Sequence, residues 1–358
     1  METLHAGEPY SGGLCHNALM LFRILIACAI FQGSLPAQTT TIRLGTLVPK
    51  GSRWLEILQT MGDQWKEESG GTIEVKIYPG GEQGDEPEMV EKMRIKKLQA
   101  AAISGAGLSG IIPSVFALQI PMFLDSYEEL DYVRDRISPR LEKELAQRGF
   151  VVLNWADVGW VHFFTKQPAA HPDDIRKLRL CVLQGDNNTF QLYKVNGFHP
   201  IALAATDILT GLETGLVDAF QSPPLLALSN QWFGGANNML DLRFVQLVGA
   251  TLISKEVWDK IPPRVQKPMR ESARIAGVGL REEIRKAEAS SIPMMQQFGL
   301  NVVHADDKTL EEWRKLSESL YPTFRGSIVP ADLFDEVKRL RDEYRKTHPI
   351  QRAAAPSR

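Results

Sequence analysis

The sequence has little of three features that would point to a particular class of function. It contains only three cysteines in 358 residues, Cys15, Cys28 and Cys181, and its 41 Lys and Arg nearly balance its 43 Asp and Glu. Without a basic excess, a nucleic-acid partner is not expected. If the N-terminal segment is removed, only Cys181 survives, which excludes an internal disulfide and a cysteine-based metal site. No apolar run approaches the roughly 20 residues that span a bilayer.

The N-terminus does carry a short apolar run with the features of an export signal. Arg23 precedes the apolar residues Ile24 to Phe31, and small residues follow as far as Ala37. This pattern predicts a signal peptide over residues 1–37, cleavage near Ala37 and a periplasmic location. Met20 is a candidate translation start, and a lipoprotein anchor at Cys28 is an open alternative.

Strands alternate with helices through the first third of the chain that would remain after cleavage. Residues Thr41–Val48, Thr72–Tyr78 and Ala100–Ser104 are short β-branched or apolar runs, with helical periodicity between them. This alternation predicts an α/β fold with a largely parallel sheet. Right-handed crossovers then bring the turns at Pro49–Ser52 and Ser104–Gly107 to one carboxyl edge, where open α/β sheets bind ligands.

The same pattern starts again after residue 154, which predicts a two-lobed molecule with a cleft between the lobes. A long charged helix that opens at Pro262 and continues to about Ser290 is expected to brace both lobes. The predicted domains are lobe 1 (38–153 plus 244–260), lobe 2 (154–243 plus 299–348), the connecting helix (261–298) and a frayed tail (349–358).

The familiar catalytic and cofactor motifs are absent or out of context. Gly105–Gly110 matches the dinucleotide-binding G-x-G-x-x-G pattern, but Pro113 and β-branched residues follow where a sustained helix is required. The histidines are scattered, and no nucleophile is paired with a base. We therefore expect a protein that is not an enzyme and uses no cofactor or metal, with an exported α/β enzyme as a remote alternative.

Aromatic residues concentrate where the chain changes lobe and around the expected cleft. The group comprises Trp155, Trp160, Phe163, Phe164 and Trp232. Core packing and contact with a ligand are both open for Phe163 and Phe164. Trp155 and Trp160 are expected to face the ligand.

Three segments resemble a known family. They are the run Pro172–Leu180 (PDDIRKLRL), the tripeptide His199-Pro200-Ile201 and the run Thr206–Ala219 (TDILTGLETGLVDA). Together they resemble the solute receptors of tripartite ATP-independent periplasmic (TRAP) transporters, the DctP-like family 7, over residues 42–345. The resemblance implies two lobes that close on a small organic ligand and deliver it to a membrane permease. A monomer is expected, and a ligand carrier or sensor input without a permease is the alternative.

The chain departs from this family at two positions. The resemblance implies an arginine that pairs with a ligand carboxylate on the strand after residue 178, and often a second one after Gly159. Cys181 and Val161 occupy these positions. Arg179 lies two residues before Cys181, on the same face of the strand, and is a candidate substitute. Without a fixed cation the cleft would favour an apolar or neutral ligand, because a buried unpaired carboxylate is costly.

These considerations give one set of expected ligand-binding residues: Ser52, Trp54, Ser104, Gly105, Trp155, Trp160, Arg179, Cys181, Gln184, Ser222 and Trp232.

Overall fold

The computed structural model describes residues 39–348, together with the isolated residues Thr3 and Gly7. The predicted signal peptide over 1–37, the start at Met20, the lipoprotein alternative at Cys28 and the tail over 349–358 lie outside the described residues. No described helix is long and apolar enough to cross a membrane.

The chain folds as mixed α/β, as predicted. Its strands are β1 (Thr40–Thr46), β2 (Ile73–Tyr78), β3 (Ala100–Ser104), β4 (Phe150–Thr165), β5 (Arg179–Leu183), β6 (His199–Leu203), β7 (Ala219–Ser222), β8 (Asn238–Asp241), β9 (Val245–Ser254) and β10 (Asn301–His304).

The helices lie between these strands and after them. They are α1 (Arg53–Glu68), α2 (Glu86–Arg94), α3 (Gly105–Ser109), α4 (Tyr127–Gln147), α5 (Pro172–Arg176), α6 (Asn187–Val195), α7 (Ile208–Glu213), α8 (Pro224–Ser229), α9 (Lys255–Lys260), α10 (Pro263–Gln297), α11 (Asp307–Thr323) and α12 (Ala331–Thr347).

Two groups of strands define the two lobes. In the first lobe the order is β2-β1-β3-β9-β4, where β1 is parallel to β2 and β3 while β9 is antiparallel to β3 and β4. In the second lobe β5 is parallel to β6 and β7, and β4 is antiparallel to β7. The parallel pairing of β1 and β3 confirms the expectation that both strands end at the same edge.

Strand β4 belongs to both lobes. Residues Phe150–Val161 pair with β9, and the following residues His162–Thr165 pair with β7. The pairing with β9 shifts register twice, between Val152 and Asn154 and between Asp157 and Gly159. These irregularities re-aim the side chains along the strand, because each extra residue inverts the alternation of faces.

Helix α10 also spans both lobes, as its length suggested. Near its start, the Met269 carbonyl accepts a hydrogen bond of 3.1 Å from the buried indole of Trp65 in the first lobe. Near its end, Met295 is fully buried in the core cluster that contains Phe220 and Trp232 of the second lobe. The helix runs from Pro263 to Gln297, past Ser290 and within the predicted connecting segment 261–298.

Helix α4 was not assigned from the sequence, although its apolar residues recur at helical spacing. Leu130, Val133, Ile137, Leu141 and Leu145 are all buried on its inner face. They share a core cluster with Leu333 and Val337 of the last helix, α12. The predicted domain boundaries between the lobes remain predictions.

Candidate functional site

A cavity of about 240 Å³ lies where the carboxyl ends of strands from both lobes meet. Val48 and Ser104 contribute to its wall from the ends of β1 and β3, and Cys181 and Ser222 contribute from β5 and β7. The cavity is larger than the about 150 Å³ that holds benzene in an engineered apolar cavity. It therefore has room for a small organic molecule.

Five of the expected residues line this cavity: Trp54, Ser104, Cys181, Ser222 and Trp232. Ser104 is fixed by its hydroxyl, which donates to the Glu86 carboxylate at 2.7 Å and accepts from the Ala106 N–H as the cap of α3. Trp232 packs edge-on against Phe220 with ring centroids 5.8 Å apart. Val161, the second position where the family resemblance implied an arginine, also lines the cavity.

Two expected residues, Ser52 and Gly105, are near the cavity wall but do not form part of it. Ser52 caps α1, since its hydroxyl accepts from the Leu55 N–H at 3.2 Å. Gly105 leaves room for Gln119, because a Cβ built on it would fall 2.2 Å from the amide atoms of that side chain. Gly105 thus lets Gln119 reach the wall.

The two tryptophans of β4 do not face the cavity as expected. The Trp155 indole is buried and donates to a Glu142 carboxylate oxygen at 2.9 Å on α4. Trp160 is fully buried against Tyr127, with ring centroids 6.0 Å apart. Phe163 and Phe164 are fully buried in core clusters.

Arg179 and Gln184 lie at the two ends of β5, outside the cavity wall. The Arg179 guanidinium forms two hydrogen bonds of 2.7 Å with the Asp218 carboxylate, and half of its side chain is exposed. The expectation that Arg179 would supply the missing cation therefore does not match its position. The Gln184 side chain is exposed, while its backbone N–H donates to Leu203.

The charged groups on the cavity wall are acidic and already bonded to the protein. The buried Glu86 carboxylate accepts from the Ser104 N–H, the Ser104 hydroxyl and the Gly107 N–H, at 2.7 to 2.9 Å. Burial raises its pKa, and these hydrogen bonds oppose that shift. Asp186 caps α6 by accepting from the Thr189 N–H, and burial raises its pKa as well. Among the described residues, no lysine, arginine or histidine lines the cavity.

Neutral amide, indole and hydroxyl groups supply the remaining polarity. Gln119 accepts from the Val248 N–H through its Oε1 at 3.1 Å, and Gln221 accepts from the Tyr193 hydroxyl through its Oε1 at 2.8 Å. Both side chains line the cavity together with Trp232. Amide and indole N–H groups of such residues can donate to an oxygen atom of a ligand.

Cys181 gives the cavity wall an apolar surface where the resemblance implied a guanidinium. Its side chain is buried, and burial raises the pKa of the thiol to about 12. The thiol is therefore protonated at neutral pH and presents a small apolar group to the cavity.

Four charged residues meet where β4 passes between α4 and α10. We call this group the crossing-strand cluster, and it is formed by Asp131, Arg134, Asp157 and Arg285. Asp157 is fully buried and accepts from Arg134 of α4 and Arg285 of α10, each at 2.8 Å. Asp131 bonds the same two arginines. The cluster ties the first lobe and the long helix to the strand that leads into the second lobe.

Within residues 39–348 there is no group of three or more His, Cys, Asp and Glu placed to hold a metal ion. His162, the buried histidine of β4, has its Nδ1 3.1 Å from the Leu240 carbonyl, and burial lowers its pKa. Its ring serves the packing of the second lobe and not the cavity wall.

A two-lobed α/β molecule whose cavity is lined from both lobes has the architecture of a solute-binding protein. The family model of the bacterial extracellular solute-binding proteins, family 7 (DctP), matches residues 44–327, and the chain belongs to this family.

Individual relatives are distant but cover most of the chain. A solute-binding protein of Chromohalobacter salexigens is 22% identical over 82% of this chain and 87% of its own length. The C4-dicarboxylate-binding periplasmic protein DctP of Rhodobacter capsulatus is 26% identical over 70% and 75%. A TRAP periplasmic solute-binding protein of Xanthobacter autotrophicus, solved with bound β-D-galacturonate, has a TM-score of 0.78 and 22% identity over 84% and 99%.

Proposed function

We propose that this chain is the periplasmic receptor of a TRAP-type uptake system and that it captures an uncharged, largely apolar organic solute. The two lobes close around the solute, and the closed form presents it to a membrane permease. One chain completes the cavity wall, so a monomer is sufficient for binding.

The proposal of an uncharged ligand is supported mainly by the side chains at positions Cys181 and Val161 of the cavity wall. These two side chains line the cavity where the family resemblance implied arginines, and the charged groups on the wall are the carboxylates of Glu86 and Asp186. An ionised carboxylate ligand would lose its hydration without gaining a cationic partner, and that penalty is several kcal/mol or more. A neutral ligand avoids the penalty and gains from burial of its apolar surface.

Family membership supports the transport role. The relatives include a C4-dicarboxylate-binding protein, and solved structures of similar fold hold a uronate. These ligands are acids. Under the proposal, this chain shares the architecture of those receptors but binds a ligand of a different chemical class. Delivery to a permease rests on the family alone.

A matched pair of fluorescent probes tests the ligand class. N-phenyl-1-naphthylamine is neutral, whereas 8-anilinonaphthalene-1-sulfonate adds a sulfonate to the same aromatic skeleton. We expect the neutral probe to bind at least tenfold more tightly in a fluorescence titration, because only the sulfonate must be desolvated without a partner. Calorimetry with D-galacturonate should show no binding.

Competition with material extracted from the purified protein then identifies whether the natural ligand uses the same cavity. Equal affinity for the two probes, or measurable binding of D-galacturonate, would overturn the proposal of an uncharged ligand. Those outcomes would leave the family assignment unchanged.

A further inference from the structure

The two lobes touch each other at the mouth of the cavity, away from the strands that join them. Asp85 and Pro87 belong to the start of α2 in the first lobe, while Gly185 and Ala205 follow β5 and β6 in the second. The Ala205 N–H donates to Asp85 Oδ1 at 3.3 Å. The structure therefore shows a closed cleft with direct contacts between the lobes.

Asp85 is in an unusual position for this contact. It is the N-cap residue of α2, yet its side chain makes no capping hydrogen bond to that helix. An N-cap aspartate ordinarily accepts from the backbone N–H two or three residues later. In α2 the residue at N2 is Pro87, which has no N–H. The backbone N–H of Glu88 at N3 is therefore the donor that would cap with Asp85 in the ordinary way. Asp85 thus has two alternative donors, one in its own helix and one in the opposite lobe.

Gly185 brings the opposing backbone into close contact. Its φ is +89°, and a Cβ built on it would lie 2.2 Å from Pro87 Cγ. Real Cβ atoms do not approach other heavy atoms so closely, and the proline ring cannot swing aside. A glycine at this position is therefore required for the lobes to meet as they do.

We propose that Asp85 and Gly185 are positioning residues for cleft closure: Asp85 holds the closed form through the Ala205 N–H, and Gly185 permits the approach of Pro87. Neither residue is part of the cavity wall, so both act on the equilibrium between open and closed forms. A ligand benefits from such contacts only in the closed form, where they lower the free energy of that state. The inference requires the closing cleft of the proposed function but not the identity of the ligand.

The surroundings of Asp85 disfavour its charged form. Burial raises the pKa of Asp85, the Ala205 N–H opposes this, and nearby Glu88 and Asp207 raise the pKa further. An asparagine keeps the accepting oxygen and removes the charge. Asp85→Asn is therefore the matched control for Asp85→Ala, which loses the acceptor.

The first test is hydrogen–deuterium exchange of the Ala205 amide without any added ligand. Asp85→Ala should accelerate that exchange about five- to tenfold, as expected for loss of one hydrogen bond, while Asp85→Asn stays within about twofold of wild type. The dissociation rate of N-phenyl-1-naphthylamine should rise in the same ratio.

A second pair of variants isolates the contact between Gly185 and Pro87. Gly185→Ala should accelerate Ala205 exchange and probe dissociation, and adding Pro87→Ala should restore both at least in part. The strain of alanine at positive φ is the same with and without Pro87→Ala. Pro87→Ala alone measures the effect of the N–H that it adds at N2 of α2, so rescue relative to both single variants reports on the contact between the lobes.

Unchanged Ala205 exchange in Asp85→Ala, equal acceleration in Asp85→Asn, or failure of Pro87→Ala to rescue Gly185→Ala would each overturn the proposal. The exchange measurement needs no ligand. If the neutral probe does not bind the wild-type protein, the proposed ligand class is wrong. The exchange rates of the Ala205 amide then still test the closure contacts.

Discussion

The cavity wall and the crossing-strand cluster are adjacent along β4. They differ in whether their carboxylates are paired with arginines. Val158 and Val161 of β4 line the cavity, whereas Asp157 between α4 and α10 is paired with Arg134 and Arg285. The guanidinium groups of Arg134 and Arg285 thus fix the strand that joins the lobes. Charge pairing in this region belongs to the framework, whereas most residues on the cavity wall are apolar.

The largest effect is expected from breaking the crossing-strand cluster with Asp157→Ala. This change leaves Arg134, whose side chain is only 3% exposed, without its fully buried carboxylate. We expect a loss of about 3–5 kcal/mol in the free energy of unfolding, measured by urea denaturation.

The matched control is Asp335→Ala, which removes an ion pair with Arg325 in which both side chains are about half exposed. That pair should contribute less than about 1 kcal/mol. Equal losses for the two variants would show that burial does not distinguish the cluster from a surface pair.

A smaller effect is expected from placing a cation in the cavity with Cys181→Arg. Affinity for N-phenyl-1-naphthylamine should fall at least tenfold, about 1.4 kcal/mol, and affinity for the sulfonated probe should rise. Cys181→Met is the control, because it adds volume without charge. If methionine reverses the preference of the two probes as arginine does, charge is not what selects the ligand.

The smallest effect is expected from Arg179→Ala. The guanidinium pairs with Asp218 at an exposed position outside the cavity wall, so stability should change by less than about 1 kcal/mol. The affinity for either probe should stay within about twofold of wild type. A tenfold loss of affinity for the sulfonated probe would instead place Arg179 in the binding of anions.

The two-lobed α/β fold could be predicted from the sequence, but the direction of the side chains on β4 could not. The turns that follow β1 and β3 led to Trp54 and Ser104 being expected at the edge where the cavity lies, whereas Cys181 was expected there from the family resemblance. Trp155 and Trp160 were assigned to the cavity from their position alone. The register shift between Asp157 and Gly159 falls between the two tryptophans and inverts the alternation of faces there. Gly159, whose φ is +125°, is the local sequence signal for that shift, and alternation alone does not use it.

The prediction that Arg179 enters the binding site does not match its position for a different reason. Its partner Asp218 lies 39 residues later in the chain and meets it only because β5 and β7 are neighbours. Alternation along one strand could not reveal which groups lie next to the end of that strand. The same limit applies to Glu86, which reaches the wall through contacts with Ser104 and Gly107.

The strand order of the first lobe has a consequence for synthesis of the chain. β3 and β4 are not neighbours, because β9 lies between them and pairs with both. β9 ends at Ser254, after most of the second lobe has been made. The sheet of the first lobe therefore cannot be completed before that residue has been synthesised, and the edges of β3 and β4 are unpaired until then.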